Sequence, residues 1–171
     1  MKFLVLGDNH GRWQTVQSVI QTFKSQVDYI IHTGDSEFPS DDPLWDDVDA
    51  VVSGNMDFDP QFRKQYLLNT EEGQVFVVHG HRHGVNHSNQ TLLDLAREKD
   101  IKFVFHGHTH RLYADYQAGV LLVNPGSLNQ SRGEHQVLTF AIVTVLADSI
   151  VVNFYDDNLQ MVETLTEAFK R

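Results

Sequence analysis

FLVLGDNHG, residues 3–11, is the stretch from which the rest of this chain can be read. Its apolar run, Phe3 to Leu6, is short and unbroken, as in a buried strand, and it ends on Gly7 before Asp8 and His10. The arrangement then recurs. YIIHTGD (29–35) ends on Asp35, AVVSGNMD (50–57) carries Asn55, VFVVHGH (75–81) carries His79, and FVFHGHTH (103–110) carries His108 and His110. In open α/β sheets the carboxyl ends of the strands line one crevice, so groups far apart in sequence converge there. Two carboxylates, one amide oxygen and four imidazoles exceed what a single ion needs. They suit two ions sharing a carboxylate, the ligand set of a dinuclear hydrolase.

Outward from these runs, strands and helices alternate first and strands follow alone. Residues 2–7 read as a strand. Residues 12–25 read as an amphipathic helix, with Trp13, Val16, Val19, Ile20 and Phe23 at helical spacing. Strands are expected over 29–33 and 50–53, separated by a Pro- and Asp-rich loop with one helical turn near Trp45. Residues 66–69 and 74–78 flank Glu72-Gly73 as a hairpin. Residues 89–99 form a second helix, with Leu92, Leu93, Leu95 and Ala96 inward. Strands follow at 103–105, 112–117, 120–123, 137–146 and 149–156, and the last dozen residues are a short helix or a tail. The expectation is α/β: one domain, 1–171, with an early α/β half and a late β half. These would form a two-sheet β-sandwich flanked by helices.

Composition frames this reading. A chain of 171 residues buries a substantial core without staples. It has no cysteine, which excludes thiolate metal sites and disulfides. The apolar start is too short for a signal peptide, and no run reaches the roughly 18 residues of a membrane span, so a cytoplasmic protein is expected. A net charge of −10 argues against nucleic acid polymers and anionic membranes as partners. It leaves room for a small anion held at a cationic centre. Asp41, Asp42, Asp46, Asp47 and Asp49 read as a solvated loop and helix face.

Each motif also has a structural reading. Asp8 and His10, at i and i+2, share one side of an extended segment, yet Asp-Asn-His-Gly also suits a helix-capping turn. Gly54-Asn55 also suits a plain turn. His108-Thr109-His110 is the strongest cluster, because imidazole is a common metal ligand and mostly uncharged at neutral pH. His32 and His106, in apolar runs, read as satisfied core histidines, and His83, His87 and His135 as structural or exposed.

Taken together, Gly7-Asp8-Asn9-His10-Gly11, Gly34-Asp35, Gly54-Asn55-Met56-Asp57, His79-Gly80-His81, Gly107-His108-Thr109-His110 and Asn124-Pro125-Gly126-Ser127 resemble the signature of calcineurin-like metallophosphoesterases. The spacing and the NPGS segment are most similar to the small YfcE-like phosphodiesterases. The resemblance implies the four-layer αββα fold of metallo-dependent phosphatases. One divalent ion would be held by Asp8, His10, Asp35 and His110, and a second by Asp35, Asn55, His79 and His108, with Asp35 bridging. Manganese, nickel, iron, cobalt or zinc suits these ligands, manganese being favoured. A metal-bridging hydroxide would then attack a small or nucleotide-type phosphodiester. Asn55, Asn129 and Arg132 are candidate substrate contacts, although Arg132 could equally form a surface ion pair.

One position departs from the pattern. Many relatives have a His after Gly-Asn, oriented by the next acidic residue, where this chain has Met56 followed by Asp57. Methionine cannot protonate a leaving group, which leaves His81 as the candidate acid. Two other classes compete. A retromer subunit of similar fold acts as a protein scaffold with a weakened metal site, and larger relatives are nucleases. The filled ligand positions favour catalysis over the scaffold, and the charge and absence of an aromatic-basic groove disfavour the nuclease. A homo-oligomer is compatible with all three readings.

Overall fold

The computed structural model describes residues 1–171. The chain forms β1 (Lys2–Leu6), α1 (Trp13–Phe23), β2 (Tyr29–His32), β3 (Ala50–Val51), β4 (Gln65–Thr70) and β5 (Gly73–Val78). It continues through α2 (Gln90–Glu98), β6 (Ile101–Phe105), β7 (Tyr113–Gln117), β8 (Val120–Asn124), β9 (Thr139–Val145), β10 (Ser149–Asp156) and β11 (Glu167–Lys170). A 3₁₀ turn at Pro43–Asp47 is the turn expected near Trp45, with Asp42 accepting from Leu44 N–H at its start.

Two mixed sheets pack face to face. One has the order β11-β10-β9-β1-β2-β3, the other β4-β5-β6-β8-β7. Alternation along β1 sends Phe3 and Val5 into the space between the sheets, where Val75, Val77, Phe103, Phe105, Leu121 and Val123 meet them. Leu4 and Leu6 face the other way and bury the stripe of α1, Val16, Val19, Ile20 and Phe23. On the far side α2 lays Leu92, Leu93 and Ala96 against Phe76, Val104 and Leu122 of the second sheet. The layers therefore run helix, sheet, sheet, helix, as expected. No helix is long and apolar enough to cross a membrane.

The halves do not segregate. Early strands β4 and β5 build the second sheet, and late strands β9, β10 and β11 extend the first, β9 lying antiparallel to β1. The C-terminal segment makes one 3₁₀ turn at Glu163–Leu165 and then ends as a strand rather than a tail: β11 pairs antiparallel with β10 and covers that edge. Its pattern is mostly exposed, so periodicity gives no signal for it. Asp49 and Asp47 are also more than a solvated face, since Asp49 accepts Ile30 N–H at 2.7 Å and Asp47 pairs with Lys24 at 3.0 Å.

His32 is the satisfied core histidine expected. Its Nδ1 accepts Gly34 N–H at 3.2 Å, so Nε2 carries the proton and donates to Asn9 Oδ1 at 2.8 Å. His106 departs from expectation, because its Nε2 is buried with no partner. A proton on His32 Nδ1 would oppose the Gly34 N–H, and burial pushes the ring's pKa down to about 4. The unfolded chain protonates first, near 6.5, so this contribution is complete above that pH and is lost as pH falls towards about 4. Its full size is about 3 kcal/mol. Nitrogen-15 spectra should show His32 as the neutral Nε2–H tautomer at pH 5.5. A charged ring there would contradict the assignment.

Candidate metal centre

Every expected ligand lies just beyond a strand end, and the structure brings all seven together. Asp8 and His10 follow β1, Asp35 follows β2, Asn55 follows β3, His79 follows β5, and His108 and His110 follow β6. The backbone geometry was not foreseen. Asp8 and His10 do not share a face through strand alternation. Both have positive φ, 49° and 43°, as do Asp35, His108 and His110. Such angles in non-glycine residues cost of order 1–3 kcal/mol each and cluster where function imposes them. A tight loop, not an extended segment, aims these groups inward.

Close approach of backbone completes the aim. A Cβ on Gly54 would fall within the Asp35 carboxylate, and one on Gly107 would lie 2.5 Å from Asp8 Oδ2. Glycine at these two positions lets separate strand ends converge.

The imidazoles are held in fixed tautomers. His10 Nδ1 donates to Glu37 Oε1 at 2.7 Å, His110 Nδ1 to Gln130 O at 2.9 Å, and His79 Nδ1 to Thr33 O at 2.9 Å. In each neutral ring Nε2 is then the nitrogen whose lone pair faces the centre. His10 and His110 Nε2 face each other at 3.2 Å, and Asp8 Oδ1 lies 3.3 Å from His110 Nε2. Asp8 Oδ1 is buried and accepts no hydrogen bond. Lone pairs converging without a donor repel one another, and a cation between them relieves that. These residues fit a metal ion.

A second set adjoins the first. His79 Nε2 is 3.3 Å from Asp35 Oδ2 and 3.1 Å from Asn55 Oδ1. His108 Nδ1 is 2.8 Å from Asn55 Oδ1, while Asn86 meets its Nε2 at 3.1 Å. Asp35 Oδ2 also lies 3.9 Å from His10 Nε2, so it stands between the sets. Asp8 reaches both as well, with Oδ1 4.0 Å from His79 Nε2. Burial disfavours a charged His79, but Asp35 and Asp8 outweigh it and raise the pKa. Burial likewise disfavours a charged Asp35, yet the His79 hydrogen bond and charge, with Met56 N–H, hold its carboxyl below the usual range.

The other expected residues fall into different roles. Asp57 accepts from Asp35 N–H, Gly54 N–H, Glu37 N–H and Ser36 Oγ, at 2.7 to 3.1 Å. Its four lone-pair sites are spent joining two ligand loops, which makes it a positioning residue. His81 lies beside the centre, its ring 5.4 Å from His79, but Nε2 accepts from Arg82 and burial, then the charge of His79, lowers its pKa. Asn129 is exposed, and its N–H donates to Ser127 Oγ. Arg132 is in no ion pair, and its N–H donates to His110 O at 3.0 Å.

Glu37 was missed, having no signal beyond its place two residues after Asp35. The NPGS segment also acquires a physical role. Asn124 Nδ2 donates to Gly107 O and Thr109 Oγ1, and Ser127 Oγ donates to Asp8 O while accepting from Gln130 N–H.

Residues 1–148 match the calcineurin-like phosphoesterase superfamily domain. The chain is 34% identical to the probable metallophosphoesterase YsnB of Bacillus subtilis, over 96% of each chain. A conserved protein of Streptococcus pneumoniae TIGR4, described as a predicted phosphoesterase, superposes with a TM-score of 0.94 at 29% identity, over 99% of this chain and 97% of that one. At 18% identity the fold recurs in the E. coli phosphoesterase Yfce, with a TM-score of 0.63 over 95% and 97%. It recurs, also at 18%, in zinc-complexed Vps29 of Entamoeba histolytica, with a TM-score of 0.70 over 100% and 98%. With its ligand side chains gathered at the strand ends of that fold, the chain belongs to the calcineurin-like phosphoesterase superfamily.

Proposed function

We propose that this phosphoesterase hydrolyses a small phosphodiester with the help of two divalent ions, manganese being favoured, and that Asp35 is their shared ligand. The observation that carries the reading is a pair of carboxylates between the two sets: Asp35 Oδ2 lies 3.3 Å from His79 Nε2 and 3.9 Å from His10 Nε2, and Asp8 Oδ1 lies 3.3 Å from His110 Nε2 and 4.0 Å from His79 Nε2. When bound, such ions supply Lewis acidity and a water acidic enough to serve as nucleophile near neutral pH. Glu37, Gln130 O and Thr33 O accept the Nδ1 protons of His10, His110 and His79, which leaves Nε2 as the atom each ring can offer a metal, and Asp57 ties the Asp35 loop to the Gly54-Asn55 loop. Asn55 would contact a phosphoryl oxygen, with Asn129 and Arg132 as further candidate contacts. His81 is the nearest group able to protonate a leaving alkoxide, although its lowered pKa leaves it mostly uncharged at neutral pH.

The expected result is hydrolysis of an aryl phosphodiester that a chelator abolishes and added manganese or nickel restores. Protein shown by metal analysis to carry two ions, yet turning over neither diester nor monoester, would instead support the protein-scaffold reading. Undiminished activity after exhaustive chelation would remove the metal from the reaction. The nuclease reading has less support, because a chain of net charge −10 repels a polyanion over most of its surface.

A further inference from the structure

Behind the loop that carries His108 and His110 lies a cavity of about 580 Å³, within the range of small-molecule sites. Its wall is tied to the metal centre by Thr109 and by the Arg132 N–H bonded to His110 O. His106 lines it, fully buried. Its Nδ1 faces Gly107 O at 3.3 Å, so the unpartnered Nε2 presents a lone pair. Asn89 Oδ1, on the same lining, is also buried and accepts no hydrogen bond. Two buried acceptors without donors are costly unless an occupant supplies the donors.

The exposed part of the lining has the opposite character. Arg111 and Arg132 both line it, and neither has a carboxylate within ion-pair distance in a chain where acids outnumber bases 23 to 13. Arg111 Nε donates to Arg132 O at 3.2 Å, which ties the two residues together on one rim. Glu134 is the one carboxylate on the lining and pairs with neither. Leu112 and Tyr113 supply apolar surface against which a flat ring can pack.

We infer that this cavity is a nucleotide subsite. An amino-bearing base would donate to His106 Nε2 and Asn89 Oδ1, with its phosphate on Arg111 and Arg132. The inference goes beyond the phosphoesterase reading and does not depend on it, because this binding needs no metal.

Calorimetry on the full chain in chelator tests it with AMP and purine riboside 5′-monophosphate, which lacks only the amino group. AMP should bind, at least about 10-fold more tightly than the analogue, since the analogue leaves buried acceptors unpaired. Arg132→Ala should weaken both by about 10-fold or more, and His106→Phe should erase the preference. Should His106→Phe fail to fold, the two ligands on the unaltered chain still decide. No AMP binding at millimolar concentration, equal binding of the pair, binding that requires metal, or indifference to Arg132→Ala would each overturn the assignment. With manganese restored, AMP raising KM for an aryl diester identifies the nucleotide as an arm of the substrate. A fall in kcat alone identifies a free nucleotide. Inhibition that Arg132→Ala does not relieve counts against the subsite.

Discussion

Asp35→Asn should lower phosphodiester turnover by more than about 100-fold and cost the protein more than the loss of any single terminal histidine. Groups that merely orient metal ligands are worth about 10–100-fold, so a ligand standing between two ions should exceed that. Asparagine keeps the oxygen that accepts Met56 N–H at 2.7 Å, so the loop has reason to persist. What it removes is the negative charge beside His79 Nε2 and His10 Nε2, on which both sets depend. Metal stoichiometry and turnover, measured for Asp35→Asn beside His110→Ala, decide the matter. A variant that retains two ions and most of its rate would show that Asp35 is not the bridge.

The second large effect lies at Met56. Its side chain is 40% exposed at the rim of the centre and carries no proton to give. The unaltered enzyme should therefore cleave aryl diesters far faster than alkyl ones. General acid catalysis is worth roughly 10²–10⁴-fold, most of it for basic leaving groups. Met56→His should flatten the dependence of rate on leaving-group pKa. The gain should sit near the lower limit, about 10²-fold, because Asp57 has no lone pair left to orient the new ring. Rates for both proteins across a series of aryl and alkyl diesters give the comparison. A shallow slope in the unaltered enzyme would point to another acid, with His81 the first to replace. Equally steep slopes in both would place residue 56 away from the leaving group.

The local pattern of the chain was enough for most of the elements and for naming the seven side chains that the fold gathers at one edge. Unbroken apolar runs in FLVL, YII and VFVV report burial on both faces of a strand, and the polar groups that follow each run fall at the strand's end. Helical spacing from Trp13 to Phe23 likewise shows in the sequence which side of α1 is buried. These are properties of neighbours in sequence. Periodicity does not say which sheet a strand joins. The placing of β9 beside β1, and of β11 at the edge, depends on pairing between residues more than a hundred positions apart or on a nearly featureless exposed strand.

The same division runs through the site. The candidate ligands can be named from the sequence, but what they can bind depends on proton positions fixed by remote partners. Glu37 holds His10, Gln130 O holds His110, and Thr33 O holds His79 across 46 residues. Asp57 looked like an orienting acid and proved to be the pin of two loops. His106 looked like a satisfied core residue and proved to line a cavity with a free lone pair. A hydrogen bond saturates: once a carboxylate or an imidazole has its partners it has nothing left for substrate. Which partners it has is decided only when the folded chain brings distant backbone and side chains within about 3 Å of it.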